Sequence, residues 1–177
     1  MKGTIVCCIR DMVIEKFHKD VWQRTLEKSG IPASNMFLPM SDVPDETVMK
    51  IIENLCKELG ITLEQAADTF GEYWMVNYVP KLYSNFLLGA PTTKDLLLKM
   101  DRIHDTVTRT MSNASPPRFK YDWQDDNTLH MTYDSKRNLV PIFIGLVKGV
   151  GKYYKEDIKI NMKSPSLMEI KFPVKRA

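Results

Sequence analysis

The hydrophobic period of this chain passes from helical to alternating near Pro116, and that change constrains the fold more than any other feature. Before it, Ile5, Cys8, Ile9, Met12, Val13 and Phe17 recur at helical spacing, as do Val48, Ile51, Ile52, Leu55, Cys56 and Leu59. After it, Phe119, Tyr121 and Trp123 alternate, then Leu129, Met131 and Tyr133 across an Asp125-Asp126-Asn127 turn. Ile158, Ile160 and Met162 alternate in turn, and Met168, Ile170 and Phe172 answer them across Ser164-Pro165-Ser166. Between the two hairpins, Leu139, Ile142, Phe143, Leu146, Val147 and Val150 return to helical spacing. The expected class is α+β: an N-terminal helical half packed on a four-stranded antiparallel sheet with one inserted helix.

Local signals refine the helical half. Asp20 with Gln23 suggests a capping box opening a second helix that Gly30 closes. A loop rich in Pro, Ser and Asp follows, from Ile31 to Asp42. Pro44 and Gly60 bracket a third helix, and Thr62 with Gln65 makes another capping box. The helix after it runs toward Tyr78, where Pro80 disturbs it. A short aromatic segment spans Leu82 to Leu88, and Thr92 or Thr93 then caps a long helix ending near Met111. We expect a single domain over 1–177, with a helical subdomain over about 1–60 and a sheet-bearing subdomain over about 61–177.

Composition narrows the function classes. A hydrophobic share of 44% in 177 residues allows a sizeable core. A net charge of +3 lacks the concentrated basic stripe of a nucleic-acid binder. The basic tail from Lys171 to Arg176 is split by Phe172 and Pro173 and looks like a strand end. Three cysteines make no disulfide framework, and the opening residues form neither a signal peptide nor a membrane span. The expectation is a reducing, cytoplasmic home. No P-loop, GxSxG, HExxH or Cys/His cluster appears, so an enzyme is not expected. Gly145, Gly149 and Gly151 are spread too far along a helix to cradle phosphate.

Three histidines can be weighed one by one. His18 lies at a helix junction and His130 on the outer face of a strand, both positions for surface residues. His104 sits one turn from Met100 and Val107 and two turns from Leu97 and Met111, so it points with the apolar face. Such a residue is either a satisfied core imidazole or an axial ligand of haem iron. A second feature is Tyr133-Asp134-Ser135-Lys136-Arg137. If extended, it aims a phenol, a hydroxyl and a guanidinium the same way, and such a comb suits a dianion such as the two haem propionates. The alternative is an ordinary polar strand end.

Taken together, His104, the Ser115-Pro116-Pro117-Arg118 turn and the Y-x-S-x-R comb resemble the H-NOX family of haem-nitric-oxide/oxygen-binding domains, also found in soluble guanylate cyclase. The opening Met1-Lys2-Gly3-Thr4-Ile5-Val6 and the Phe143-Ile144-Gly145-Leu146 segment are similar to the same family, so the resemblance covers essentially the whole chain. It implies the H-NOX fold and one non-covalent haem b, with His104 as proximal iron ligand. It further implies that Tyr133, Ser135 and Arg137 hold the propionates and that Pro117 presses on the porphyrin. The implied pocket positions are Ile5, Ile9, Trp74, Tyr78, Ile142 and Leu146.

Oxygen-binding members carry a tyrosine where this chain has Ile142. Bound O₂ gains from a hydrogen bond, whereas NO binds ferrous haem tightly without one, so an apolar pocket rejects O₂ by omission. Trp74 and Tyr78 have polar tips that could reach the gas. The resemblance thus implies a sensor of nitric oxide, with CO as a further ligand. It would act in trans on a signalling protein such as a histidine kinase or a diguanylate cyclase/phosphodiesterase, through loss or weakening of the Fe–His104 bond. The rival readings are an oxygen-binding haem sensor, a haem enzyme consuming NO and O₂, and a haem-free interaction module.

Overall fold

The computed structural model describes residues 1–173. Lys175 and Arg176, in the basic tail, lie outside the described residues. The chain divides into two compact units, Met1–Ala66 and Ala67 onward.

The first unit holds α1 (Gly3–Phe17), α2 (Lys19–Lys28), α3 (Asp45–Leu59) and the first turn of α4 (Leu63–Tyr73). Its core is the stripe read from the period: Val6, Cys8, Met12 and Val13 of α1, Trp22 and Leu26 of α2, and Val48, Ile51 and Leu55 of α3 are buried. The Thr62/Gln65 capping box is formed. The Thr62 amide donates to Gln65 Oε1 at 2.9 Å and the Gln65 amide to Thr62 Oγ1 at 3.3 Å. The Asp20/Gln23 box is not. His18 occupies the N-cap position with φ +77°, and Asp20, already inside the helix, takes Arg24 as its partner one turn on. A salt bridge at i,i+4 has displaced the cap. Gly60 ends α3 in the left-handed region, which a Cβ would disfavour.

The Ile31-to-Asp42 loop closes over the start of α1. Gly3 and Thr4 donate their otherwise unpaired first-turn amides to the carbonyls of Ser41 (2.8 Å) and Pro39 (2.9 Å). A Cβ at Gly3 would stand 2.0 Å from the Leu38 carbonyl, so the approach requires glycine there. The loop leaves Met36, Leu38 and Met40 exposed.

The second unit begins inside α4, which passes into a π-helical turn at Trp74–Tyr78 where the Val79 amide reaches back to the Trp74 carbonyl. The period suggested an uninterrupted helix here; Pro80, without an amide to donate, follows directly in α5 (Val79–Leu82). Then come α6 (Ser84–Leu87) and α7 (Thr93–Thr110), whose cap is Thr92, accepting from the Asp95 amide at 3.2 Å. β1 (Arg118–Asp125) and β2 (Thr128–Asp134) form the first hairpin. α8 (Val140–Tyr154) is the inserted helix, and β3 (Lys159–Ser164) and β4 (Leu167–Lys171) form the second hairpin.

Both hairpins join through β2 and β4 into one antiparallel sheet of order β1-β2-β4-β3. Alternation puts Leu129, Met131, Tyr133, Met168 and Ile170 on one face, buried with Leu96 and Leu97 of α7 and Phe143, Val147 and Val150 of α8. The chain is therefore a helical half plus a four-stranded antiparallel sheet. Among the described residues no helix is long and apolar enough to cross a membrane.

Within this unit α4 and α8 meet along small residues. Built Cβ atoms on Gly71, Gly145 and Gly149 would lie 2.0, 2.1 and 2.2 Å from the carbonyl oxygens of Gly145, Ala67 and Gly71. Side chains there would hold the backbones apart. Lys148 pairs with Asp68 (2.6 Å) and Lys152 with Glu72 along the same seam.

Candidate functional site

The site is built where β1 runs along α7. Leu97, Met100, Asp101 and His104 lie on the side of the helix that meets the strand, and the Pro116-Pro117 turn delivers the strand to it. His104 is half-buried. Its Nδ1 lies 2.7 Å from the Pro117 carbonyl oxygen. A carbonyl can only accept, so Nδ1 carries the proton and Nε2 carries the lone pair. Burial pushes the His104 pKa down, while the bond to Pro117 and the nearby Asp101 pull it back up. The result is a neutral imidazole with a fixed tautomer, the form in which histidine binds metals. Its ring packs on Phe119 with centroids 5.3 Å apart, and Phe119 stacks on Phe143 at 5.4 Å.

One turn before His104, Asp101 ties the helix to the strand. Arg118 grips its carboxylate with Nε to Oδ1 (2.8 Å) and Nη2 to Oδ2 (2.6 Å), and the Phe119 amide donates to Oδ1 at 2.8 Å. The Arg118 guanidinium is the main reason that the Asp101 carboxyl is held down to about 2. Arg118 also reaches Asp105 at 3.3 Å. Sequence reasoning passed over Asp101. Its signal was present, one turn from a candidate ligand and separated by a turn from an arginine, but period alone does not predict a pairing across elements.

The comb takes a different shape from an extended one. Only Tyr133 is in a strand. The Tyr133 amide bonds to the Ser166 carbonyl at 2.8 Å, where the second hairpin turns away, and no partner strand continues beyond. The chain then satisfies its own backbone. The Asn138 amide donates to the Ser135 carbonyl (3.2 Å), and the Arg137 amide to Ser135 Oγ (3.2 Å). The buried Tyr133 ring stacks on Phe143 at 4.8 Å, and its hydroxyl accepts from the Leu139 amide at 3.1 Å. Arg137 Nη1 donates to the Ser115 carbonyl. Arg137 and His104 thus both hold the Ser115-to-Pro117 turn, one at each end. The three polar groups lie close by chain connectivity rather than along one edge.

Of the remaining expected positions, Trp74 and Tyr78 share the π-helical turn and stack at 5.8 Å, with Phe70 and Tyr83 on either side of Trp74. Ile142 and Leu146 lie half-buried on successive turns of α8. Ile5, half-buried, and Ile9, buried, belong to α1 of the first unit. His18 is exposed, as expected. His130 is half-buried and sits 3.3 Å from Glu169 on β4, its register partner. Cys8 is fully buried, which pushes its thiol pKa up, and Cys7 donates to the Phe37 carbonyl at 3.3 Å.

Among the described residues no group of three or more His, Cys, Asp or Glu could hold a metal ion. The donor set offered is one half-buried, neutral imidazole nitrogen, with a polar turn of phenol, hydroxyl and guanidinium nearby. It suits a metal that brings its other donors with it, and the class so described is the haem-holding α+β sensor domain. The comparisons agree. A family model described as haem-NO-binding matches residues 2–162. The chain is 25% identical over 157 residues to the soluble guanylate cyclase gcy-35 of Caenorhabditis elegans and 27% identical to gcy-34. Those alignments cover 86% of this chain and 23% of each cyclase, so the chain spans about a quarter of the length of these curated relatives. Its fold is similar to an oxygen-binding H-NOX domain related to soluble guanylate cyclases (TM-score 0.80, 24% identity, 97% of this chain and 95% of that one). It is similar also to a mutant H-NOX of T. tengcongensis (TM-score 0.83, 24% identity, 97% of both). The chain belongs to the haem-NO-binding (H-NOX) family, the haem gas-sensor domains related to soluble guanylate cyclase.

Proposed function

We propose that this domain holds one haem b non-covalently with His104 Nε2 as the only protein ligand to iron, and that it senses nitric oxide in the cytoplasm. The observation that carries the reading is the 2.7 Å bond from His104 Nδ1 to the Pro117 carbonyl, which leaves the lone pair on Nε2. Haem held there would supply a ferrous iron able to take up diatomic gas, with His104 as the residue whose hold NO would weaken. Arg137, Tyr133 and Ser135 hold the propionates in this reading: the Tyr133 and Ser135 hydroxyls accept backbone amides and keep their own protons to donate. Pro117 orients the imidazole through its carbonyl, and its ring would bear on a bound porphyrin. Ile142 and Leu146 offer the gas no hydrogen bond, which favours NO and CO over O₂.

In this reading the signal is the loss of the hold at His104, and a signalling partner reads that loss. The partner, in this reading, is a separate protein such as a histidine kinase or a diguanylate cyclase/phosphodiesterase. NO can drive the change only if it favours the released state over the held one.

The test is the absorption spectrum of the reduced protein alone, in air and with NO. A haem spectrum blind to air that turns with NO into a histidine-free, five-coordinate form supports the reading. A stable oxy spectrum transfers selectivity to Trp74 or Tyr78 and favours oxygen sensing. In His104→Gly with free imidazole, NO should release the imidazole yet leave the partner's activity unchanged; a full response there would exclude His104 as the link.

A further inference from the structure

β1 lies along α7 in a regular order. Phe119 packs on His104, Tyr121 meets Leu97 and Asp101, and Lys94 lies over the Trp123 ring at 4.1 Å. Alternate residues of the strand, Phe119, Tyr121 and Trp123, therefore step along successive turns of the helix. The middle contact differs in kind from the others. The Tyr121 hydroxyl donates to the Leu97 carbonyl at 2.8 Å and accepts from the Asp101 amide at 3.1 Å. These are the two backbone groups that an α-helix joins to each other, i to i+4. A side chain of the sheet has entered the hydrogen-bond ladder of the helix, one turn before His104.

We propose that Tyr121 is a positioning residue for His104: its phenol locks the helix to the sheet just before the imidazole, so that the imidazole cannot trail the iron when its bond is weakened. The inference rests on the proposal that His104 is the haem ligand. A helix free to drift would keep the imidazole beside the iron and allow recapture. One anchored at Leu97 and Asp101 holds the imidazole at a fixed height, and a weakened bond then breaks and stays broken. Asp101 makes two further ties at this height through its side chain, to the Phe119 amide and to Arg118, and the Arg118 pair is half-exposed and screened by water and salt. The Tyr121 hydroxyl is sheltered: burial pushes its pKa up to about 12, so it stays protonated and keeps both bonds over the whole physiological range. The Phe119-Tyr121-Trp123 alternation announced the strand, but nothing in it distinguished the middle ring from its neighbours.

The experiment uses the haem-loaded 177-residue chain and compares wild type with Tyr121→Phe and Tyr154→Phe. Tyr154 is the control because its hydroxyl also bonds a backbone carbonyl, that of Ala90 (2.5 Å), beyond the far end of α7. The readouts are the Fe–His stretching frequency of the reduced protein, the conversion from six- to five-coordinate on adding NO, and amide hydrogen exchange along α7. In Tyr121→Phe we expect a shifted Fe–His stretch, conversion slowed roughly fivefold, and amides from Asp101 to Thr108 exchanging roughly fivefold faster, the scale of one net hydrogen bond. Tyr154→Phe should leave the stretch and the conversion at wild-type values. Tyr121→Met, of similar size without the hydroxyl, repeats the test should the Phe variant not fold. An unchanged stretch and conversion in the Tyr121 variant, faster conversion, or equal effects in both variants overturns the inference. A wild type that shows no Fe–His stretch at all overturns instead the assignment of His104 on which it rests.

Discussion

At the scale of single residues, the site depends on which atom holds which proton. His104 offers Nε2 only because Pro117 occupies Nδ1. Asp101 stays ionised because Arg118 faces it. The second fact sets a pH dependence. A carboxyl held down to about 2 when folded, against roughly 3.9 in an unfolded chain, stabilises the fold fully above the unfolded value. That contribution fades as pH falls from about 4 to about 2. Thermal unfolding of wild type and Asp101→Asn across this range should show the difference between them shrinking toward acid. A constant difference would mean that the Asp101 charge does not act through Arg118.

At the scale of elements, caps and seams carry the prediction. Thr62→Ala removes the oxygen that accepts the Gln65 amide and should lower stability by about 1 kcal/mol in urea unfolding. Gly145→Ala places a methyl 2.1 Å from the Ala67 carbonyl oxygen and must push α4 and α8 apart, at about 1–3 kcal/mol. The same unfolding experiment measures it, and a neutral Gly145→Ala would show that the seam yields easily. The capping box was legible in the sequence because both its halves lie within four residues. The seam was not: the spacing of Gly145 and Gly149 says only that they do not cradle phosphate, and their reason stands on another helix, at Ala67 and Gly71.

At the scale of the whole molecule, the question is which gas is admitted. Ile142 is the position where the resemblance puts the oxygen-stabilising tyrosine of oxygen-binding members. If the proposed selectivity for NO is set there, Ile142→Tyr should give the reduced protein in air a measurable oxy spectrum that the wild type lacks, with NO binding retained. If the reduced variant in air still shows no oxy form, the selectivity is not set at this position.

The sequence by itself determined what depends on neighbours along the chain. The switch of period at Pro116 announced the helices and both hairpins, and the order of His104, Pro116-Pro117 and the Tyr133-Ser135-Arg137 string was enough to point to a family. It erred where a competing local contact won. Asp20 chose Arg24 over a cap, and the chain after Asp134 turned because no strand remained to pair with it. Only the tertiary structure decided the contacts between distant segments: Pro117 on His104, Arg118 on Asp101, Tyr121 in the ladder of α7. Periodicity states which face of an element is apolar, whereas a hydrogen bond between elements depends on their register, which is set by the packing of both.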